Sequence, residues 1–231
     1  MTDIDTEGRT VRQSPTQRGG FLQPKWKANS KSHSRRSEAI LRHAAGRKCL
    51  DVGCASGVHG QGWLHASLAA GIDDLTGIDI DKEGVELANR KGYRCLVANA
   101  ESFVLEDSFD LVIAGELIEH LSNPGGFLDS ARKCLRPEGQ VLITTPNAFA
   151  VSNFVYRLAG DVRVNADHVA WYCPITLSQL FERHGYNVEV VECVDHIQPS
   201  KLRRVAANLV RSVVPGKMKW GTILLVARIV E

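Results

Sequence analysis

Two carboxylates and an imidazole lie close together in the segment Glu116-Leu117-Ile118-Glu119-His120. Positions three and four apart share one face of a helical turn, so these three polar side chains are expected to meet on one side of it. A mixed set of carboxylate and imidazole groups binds Mn²⁺ or Zn²⁺ well, and a histidine can also act as a general base. The segment therefore leaves three alternatives open: a metal site, a base at His120, or residues that only shape a loop.

A second motif with chemical meaning is the glycine-containing run Asp51-Val52-Gly53-Cys54-Ala55-Ser56-Gly57. Its glycines permit backbone turns with positive φ and a close approach of the main chain to a ligand. Asp79 ends the next predicted strand, where an acid commonly accepts hydrogen bonds from two ribose hydroxyls. The run lacks the G-x-G-x-x-G pattern of dinucleotide sites and the Lys-Ser/Thr of a phosphate-binding loop. A nucleoside without phosphates is the ligand that fits best.

Alternating strands and helices position these motifs. The predicted strands cover residues 48–54, 74–80, 94–99, 109–114, 140–145, 187–194 and 221–230, with helices at 59–70, 82–91, 123–135 and 176–184. Continuous apolar runs such as Leu111–Ala114 and Val141–Ile143 are typical of strands that are covered on both faces. The pattern predicts an α/β fold, a Rossmann-like doubly wound sheet with right-handed crossovers.

The ordered motifs resemble those of a known family. Asp51-x-Gly53-x-x-x-Gly57, Gly77-Ile78-Asp79, Phe109-Asp110-Leu111-Val112 and Glu116–Leu121 are similar to the motifs of class I S-adenosylmethionine (SAM)-dependent methyltransferases. The resemblance covers roughly residues 38 to 231 and is specific as a set of motifs. It implies SAM as cofactor and a seven-stranded sheet, mostly parallel, with an antiparallel C-terminal strand.

The resemblance also implies roles for individual residues in cofactor binding. The loop glycines would admit the methionine moiety, while Asp51 would support the loop and the ammonium group of the ligand. Asp79 would bind the ribose hydroxyls, and Ile80 would cover one face of the adenine. Asn99 stands where the family often has an acid, and its side-chain oxygen can accept from the adenine amino group. The candidate cofactor-binding residues are Asp51, Gly53, Cys54, Gly57, Asp79, Ile80, Asn99, Ala100 and Glu116.

The acceptor side is assigned to residues 147–174, an insertion after the fifth strand that covers the substrate in this family. His120 and His168 are the candidate catalytic residues, while Tyr172 would contact an acceptor and Trp171 would form a wall of its pocket. Similar Glu-x-x-Glu-His sequences occur in methyltransferases that act on the 3′ end of small RNAs or on catechol-like quinone precursors. The candidate ligands of a divalent metal are therefore Glu116, Glu119, His120 and His168.

The predicted function is methyl transfer from SAM to a small-molecule acceptor, at a hydroxyl oxygen. Two alternatives stay open: a metal-dependent RNA 2′-O-methyltransferase and a non-catalytic SAM-binding protein. A net charge of +2 over 231 residues indicates no strong global field that would attract nucleic acid.

The remaining segments bear on organisation and location. Residues 1–36 are predicted to be a flexible basic tail with an apolar patch at 20–26, ahead of a single domain at 37–231. Residues 200–212 have the spacing of an amphipathic helix with a basic face, which would pack on the sheet or touch a membrane surface. The six cysteines lack zinc-type spacing, and no apolar run approaches the roughly 20 residues of a membrane span. These features predict a cytoplasmic protein and leave its oligomeric state open.

Overall fold

The computed structural model describes residues 3–4, 10–11, 36–158, 160, 164–194 and 221–230. Two short strands, β1 (Asp3–Ile4) and β2 (Thr10–Val11), pair with each other in antiparallel fashion. The rest of the predicted tail, up to residue 35, and the predicted amphipathic helix at 200–212 lie outside the described residues. Within the described part of the chain, no helix is long and apolar enough to cross a membrane.

Seven further strands form the central sheet. They are β3 (Lys48–Val52), β4 (Asp74–Asp79), β5 (Cys95–Val97), β6 (Phe109–Gly115), β7 (Leu135–Pro146), β8 (Tyr186–Val194) and β9 (Thr222–Ile229). Their order across the sheet is β5-β4-β3-β6-β7-β9-β8. The first five strands of this order pair in parallel, and β9 runs antiparallel to both of its neighbours. The predicted doubly wound seven-stranded sheet with an antiparallel C-terminal strand is confirmed.

Six helices accompany the sheet in the described part of the chain. They are α1 (Arg36–Ala44), α2 (Leu64–Ala69), α3 (Lys82–Arg90), α4 (Pro124–Cys134), α5 (Val151–Leu158) and α6 (Pro174–Arg183), with a short 3₁₀ turn at Ile118–His120. Alternate residues of β6 enter different cores, since Val112 packs in one apolar cluster while Leu111 and Ile113 pack in another. Each fully buried aliphatic side chain of this kind contributes about 1.5–3 kcal/mol. Burial on both faces explains why the strand is continuously apolar from Leu111 to Ala114.

Three local predictions differ from the structure. Helix α2 begins at Leu64 and not at 59, because Gly57 and Gly62 adopt φ values of +87° and +82° that interrupt a regular helix. The strand β7 begins at Leu135 and not at 140, so it includes the segment Pro137-Glu138-Gly139. Its register against β6 shifts near that point, where Glu138 has a φ of +64°. The helix α5 inside residues 147–174 was not predicted.

Asp110 of β6 connects β3 and β7 at the amino-terminal edge of the sheet. Its Oδ2 accepts a hydrogen bond of 2.9 Å from the Lys48 amide, and its Oδ1 accepts one of 2.8 Å from Arg136 Nη1. The bond from the Lys48 amide is the main cause that lowers the pKa of Asp110 below 3.8; burial opposes it and Arg136 reinforces it. The folded state therefore favours the charged carboxylate.

Asp110→Asn is expected to lower the free energy of unfolding at neutral pH by about 1 kcal/mol, because the carboxylate is partly screened by water. A group with a lowered pKa stabilises the fold above its unfolded pKa, and this contribution disappears as the pH falls through its folded pKa. Urea unfolding should therefore show a difference between variant and wild type that shrinks below about pH 4. Glu106→Gln, on a neighbouring exposed residue, is the control. An equal loss at pH 7 and pH 3 would contradict this role of the Asp110 charge.

Candidate active site

A cavity of about 620 Å³ lies at the carboxyl ends of the parallel strands. From β3 the chain adds β4 and β5 on one side of the sheet and then β6 and β7 on the other side. Ligands of open α/β sheets bind at the point where the strand order reverses in this way. The lining residues are Gly53, Ser56, Ile78, Asp79, Ile80, Ala98, Asn99, Ala100, Glu101, Gly115, Glu116, Leu117, His120, Leu121 and Asp167. The position and size of the cavity suit a nucleoside-sized ligand.

The loop after β3 forms one wall of this cavity. Gly53 has a φ of +87°, and a Cβ at this position would lie 3.3 Å from Leu117 Cδ1. The amides of Gly53 and Cys54 both donate to the carbonyl of Ile78, at 2.8 and 3.1 Å. The left-handed backbone and the close packing both favour glycine here, so the main chain itself lies against the cavity.

Asp79 connects this loop to the next strand. Its Oδ2 accepts a hydrogen bond of 2.8 Å from the Ala55 amide, and its Oδ1 accepts one of 3.0 Å from the Asp81 amide. Each carboxylate oxygen has a second lone pair, so these bonds leave acceptor capacity toward the cavity that Asp79 lines. The side chain is thus held in place before any ligand arrives.

Six of the nine candidate cofactor-binding residues line the cavity: Gly53, Asp79, Ile80, Asn99, Ala100 and Glu116. Ile80 is 69% exposed, which leaves an apolar surface available to a flat ring. The side-chain oxygen of Asn99 already accepts a hydrogen bond of 2.9 Å from the Glu101 amide. Its role toward an adenine amino group stays a prediction.

The other three candidates, Asp51, Cys54 and Gly57, are not among the residues that line the cavity. Asp51 is 2% exposed, and its Oδ2 lies 2.8 Å from Nδ1 of His65 on α2. Cys54 is 1% exposed and points into the protein beneath the loop. Contact of the Asp51 carboxylate with the ammonium group of a ligand therefore stays a prediction, as does any contact of the other two.

Glu116 differs from the predicted geometry. It has a φ of +56°, so the regular helical face expected to unite it with Glu119 and His120 is wrong. The left-handed residue ends the strand, and the 3₁₀ turn begins only at Ile118. Its Oε1 lies 3.6 Å from Nη1 of Arg36, the first residue of α1, which the sequence analysis had placed in the tail. An ion pair therefore joins α1 to the rim of the cavity.

His120 and His168 form the centre of a second polar cluster. Their rings lie 4.6 Å apart and nearly perpendicular. Ligand atoms of Glu119, His120 and His168 all lie within 4.8 Å of one another. The carbonyl of Asp167 lies 3.2 Å from Nδ1 of His120, an arrangement in which Nδ1 carries the proton and Nε2 can accept one.

Glu119 is the buried member of this cluster, with 1% of its surface exposed. Its Oε2 accepts a hydrogen bond of 2.8 Å from Thr145 Oγ1, while Oε1 has no hydrogen-bond partner among the described residues. Burial raises the pKa of Glu119 above 4.5, although the bond from Thr145 opposes the shift. A buried carboxylate oxygen without a partner is uncommon and indicates that a proton, a cation or a ligand group completes the site.

The cluster fits a divalent metal ion with three of the four predicted ligands. Two imidazoles and one carboxylate are a donor set that suits Mn²⁺ or Zn²⁺. Glu116 does not join the group, because its carboxylate lies toward Arg36. The orphaned Oε1 of Glu119 is the structural observation in favour of a cation, and a protonated Glu119 would satisfy the same atom.

A smaller cavity of about 160 Å³ lies on the other side of the cluster. Its lining residues are Glu119, Pro146, Ala148, Asn153, Val164, Asn165, His168, Ala170 and Trp171. Glu119 and His168 face this smaller cavity, and His120 faces the larger one. Trp171 lines this cavity, whereas Tyr172 is buried in the main apolar core. The polar cluster thus lies between the two cavities.

Thr145→Val is expected to lower the free energy of unfolding by about 1–3 kcal/mol, because it leaves a buried oxygen of Glu119 without its donor. The neighbouring Thr144 is the matched control, since it is equally buried and its hydroxyl has no hydrogen-bond partner among the described residues. Thr144→Val should therefore be neutral or slightly stabilising in urea unfolding. Equal destabilisation by both variants would contradict a specific role of the Thr145 hydroxyl.

The sequence of this chain matches a known protein family. A model of the methyltransferase domain family matches residues 24–191. This chain belongs to the methyltransferase domain family. Its predicted membership of the class I SAM-dependent methyltransferases is confirmed.

Curated relatives of this methyltransferase domain carry one recurring name. The ubiquinone biosynthesis O-methyltransferase of Aromatoleum aromaticum is 30% identical over 61% of this chain and 64% of its own. That of Photobacterium profundum is 29% identical over 52% of this chain and 54% of its own. The chain thus spans about half to two thirds of the length of these relatives.

Solved structures show the same fold. A SAM-dependent methyltransferase from Archaeoglobus fulgidus superposes with a TM-score of 0.60 at 17% identity, covering 84% of this chain and 91% of the other. The N-methyltransferase NodS of Bradyrhizobium japonicum, solved with S-adenosylhomocysteine, gives 0.54 at 16% identity, covering 85% and 86%. At these identities the likeness concerns the arrangement of strands and helices, not the acceptor.

Several residues of the site carry no signal in the sequence. Arg36 pairs with Glu116, and His65 contacts Asp51. Thr145 donates a hydrogen bond to Glu119. In each pair the two residues are well separated along the chain. Their residue types are ordinary and their neighbours form no motif. Only the packing of α1 and α2 on the sheet, and the position of β7 within it, brings them to the site.

Proposed function

We propose that this methyltransferase transfers the methyl group of SAM to a hydroxyl oxygen of a small, ring-sized acceptor. The observation that carries the proposal is the pair of cavities that meet at Glu119, His120 and His168. One cavity is large enough for the donor nucleoside and the other for a compact acceptor. Membership of the methyltransferase domain family and the names of the curated relatives support the same conclusion.

The donor would occupy the larger cavity. Asp79 would accept hydrogen bonds from the ribose hydroxyls with the acceptor capacity that its bonds to the loop leave. Ile80 would cover the adenine, and Asn99 would lie at its edge. The main chain at Gly53 would admit the methionine moiety, with Asp51 supporting the loop from beneath.

The acceptor would occupy the smaller cavity. A volume of about 160 Å³ is close to that of a cavity that holds a benzene ring, roughly 150 Å³, and is too small for a nucleotide. Pro146, Val164 and Trp171 provide apolar and aromatic walls, while Asn153 and Asn165 provide hydrogen-bonding groups. A phenol or catechol presents the same combination of a flat apolar ring and a polar edge. The relatives named for ubiquinone biosynthesis support this class of acceptor.

The residues between the cavities would remove the proton of the acceptor hydroxyl. When bound, SAM supplies a sulfonium methyl group that is already reactive toward an oxygen nucleophile. The protein would hold the acceptor hydroxyl in line with that methyl group, which replaces an encounter in solution by a fixed geometry. His120, through Nε2, or His168 would accept the hydroxyl proton as transfer proceeds. A cation held by Glu119, His120 and His168 would instead lower the pKa of the hydroxyl.

A labelled-methyl transfer assay tests the proposal over phenols, catechols, sugars, lipids and small RNA, with S-adenosylhomocysteine binding measured in parallel. Label on a phenolic oxygen is the expected result. Label on RNA alone, lost on chelation, would instead support a metal-dependent RNA 2′-O-methyltransferase. Binding of S-adenosylhomocysteine without transfer to any acceptor would support a non-catalytic SAM-binding protein.

A further inference from the structure

A group of buried side chains lies directly beneath the donor loop. Asp51 of β3, Gly77 of β4 and Cys95 of β5 are register partners on three adjacent strands. In-register residues of neighbouring strands present their side chains on the same face of the sheet. His65 of α2 spans the glycine between the other two, with Nδ1 2.8 Å from Asp51 Oδ2 and Nε2 3.6 Å from Cys95 Sγ. The result is an Asp-His-Cys relay.

A second thiol reaches the same point from the donor loop. A Cβ placed on Gly77 would lie 2.6 Å from Cys54 Sγ and 2.9 Å from Cys95 Sγ, so both sulfurs occupy the space above this glycine. Gly77 is therefore required by packing, because any side chain would displace one sulfur or the other. Its absent side chain is what allows the two cysteines to meet.

The electrostatics of the pair are asymmetric. The neighbouring Cys54 and the bond to His65 lower the pKa of Cys95, and burial opposes this shift. The neighbouring Cys95 and burial raise the pKa of Cys54. Burial opposes charge on His65, but the bonds to Asp51 and Cys95 outweigh it and raise the pKa of His65 to about 9. Cys95 is therefore the thiol whose thiolate form the neighbouring His65 ring can stabilise.

We propose that Cys54 and Cys95 are a peroxide-sensitive thiol pair, in which Cys95 attacks the oxidant and Cys54 resolves the product into a disulfide. In the first step an S–O bond forms on Cys95 as the O–O bond of a hydroperoxide breaks. His65 protonates the departing oxygen, so that an alcohol or water leaves. In the second step the sulfur of Cys54 displaces water from the sulfenic acid, forming the S–S bond. The hydroperoxide is reduced by two electrons and the two thiols are oxidised.

Access to the pair is through the donor loop. Cys54 and Cys95 are 1% and 4% exposed, so only a small oxidant can reach them and only when the loop moves. Gly53 and Ser56, on either side of Cys54, line the donor cavity. A bound donor would hold the loop closed and protect the thiols. A disulfide would in turn tie the loop to β5 and disturb the surface that receives the donor.

The first experiment measures the chemistry alone on the full-length wild-type protein. Dilute hydrogen peroxide is added after removal of reductant, and intact and peptide mass spectrometry follow the product. The expected result is the loss of two hydrogen atoms, a cross-linked peptide pair that contains Cys54 and Cys95, and reversal by dithiothreitol. S-adenosylhomocysteine should slow the reaction. Absence of a disulfide, or one between other cysteines, would overturn the proposal.

Variants separate the two roles. Cys54→Ser should stop at a sulfenic acid on Cys95 that dimedone traps, and Cys95→Ser should abolish both products. Cys134→Ser is the matched control, since Cys134 is also buried but its thiol donates to the Ala131 carbonyl and its pKa is raised to about 12. Dimedone labelling of Cys54 in the Cys95→Ser variant would show that Cys54 is the attacking thiol. That result would overturn the proposed assignment of the two roles.

The effect on donor binding rests on the proposed function and is measured separately. Calorimetry should show that the oxidised protein binds S-adenosylhomocysteine about tenfold more weakly, with recovery after reduction, as expected for coupling between adjacent sites. An unchanged affinity in the disulfide form would overturn the coupling. A reduced protein that fails to bind S-adenosylhomocysteine would count against the proposed function, whereas the disulfide is detected by mass without any ligand.

Discussion

Replacing Asp79 by alanine is expected to weaken the binding of S-adenosylhomocysteine by about 100-fold, since two hydrogen bonds to a charged group contribute roughly 3 kcal/mol. The carboxylate acts twice, because it faces the cavity and also accepts from the Ala55 and Asp81 amides. The variant therefore loses the acceptor for the ribose and the anchor of the loop together. Isothermal calorimetry measures the effect directly.

Two further variants make this test specific. Asp79→Asn keeps one acceptor oxygen and should show an intermediate loss of affinity. Asp73→Ala removes an exposed acid at the opposite end of the same strand region and should bind normally. Circular dichroism checks that each variant is folded. Unchanged affinity in Asp79→Ala would remove the ribose assignment.

Glu119→Gln is expected to reduce methyl transfer by about 100-fold while leaving the affinity for S-adenosylhomocysteine unchanged. Glutamine has the same shape and can still accept from the Thr145 hydroxyl, so the loop geometry should persist. It lacks the negative charge that would bind a cation or stabilise an imidazolium on His120 or His168. Transfer is measured with the acceptor identified by the labelled-methyl assay. Normal turnover in the variant would mean that Glu119 only shapes the loop.

Chelation distinguishes the two chemical roles of this cluster. Loss of activity on thorough chelation, with recovery on adding Mn²⁺ or Zn²⁺, would assign Glu119, His120 and His168 to a metal ion. Activity that survives chelation would end the metal hypothesis and leave the histidines as candidate bases. In that case His120→Ala or His168→Ala should slow transfer. Normal transfer in both variants would exclude either as the base.

The structure also changes how the Glu-x-x-Glu-His segment is understood. Spacing alone favoured a common helical face, and spacing cannot reveal that Glu116 takes a left-handed conformation. The cause is tertiary: the Glu116 amide donates to the Thr144 carbonyl at 2.8 Å, while its carboxylate pairs with Arg36. These two contacts divide the segment. Glu116 belongs to the rim of the larger cavity, and Glu119 with His120 belongs to the boundary between the cavities.

The sequence by itself determined the sheet, the glycine-containing loop after β3 and the position of Asp79 at the end of β4. These features are local. They are the periodicity of the strands, a glycine at a turn with positive φ and an acid at the end of a strand, and each can be read from a few neighbouring residues. It likewise predicted that Glu119 and His120 belong to the site, because they follow directly on a strand.

Only the tertiary structure decided which side chains face one another. His168 packs beside His120, and Thr145 donates a hydrogen bond to Glu119. Glu116 pairs with Arg36, and Asp51 contacts His65 beneath the loop. Each of these contacts joins residues that are distant along the chain or separated by an irregular turn. Their formation depends on how whole helices and strands pack, which no local pattern encodes.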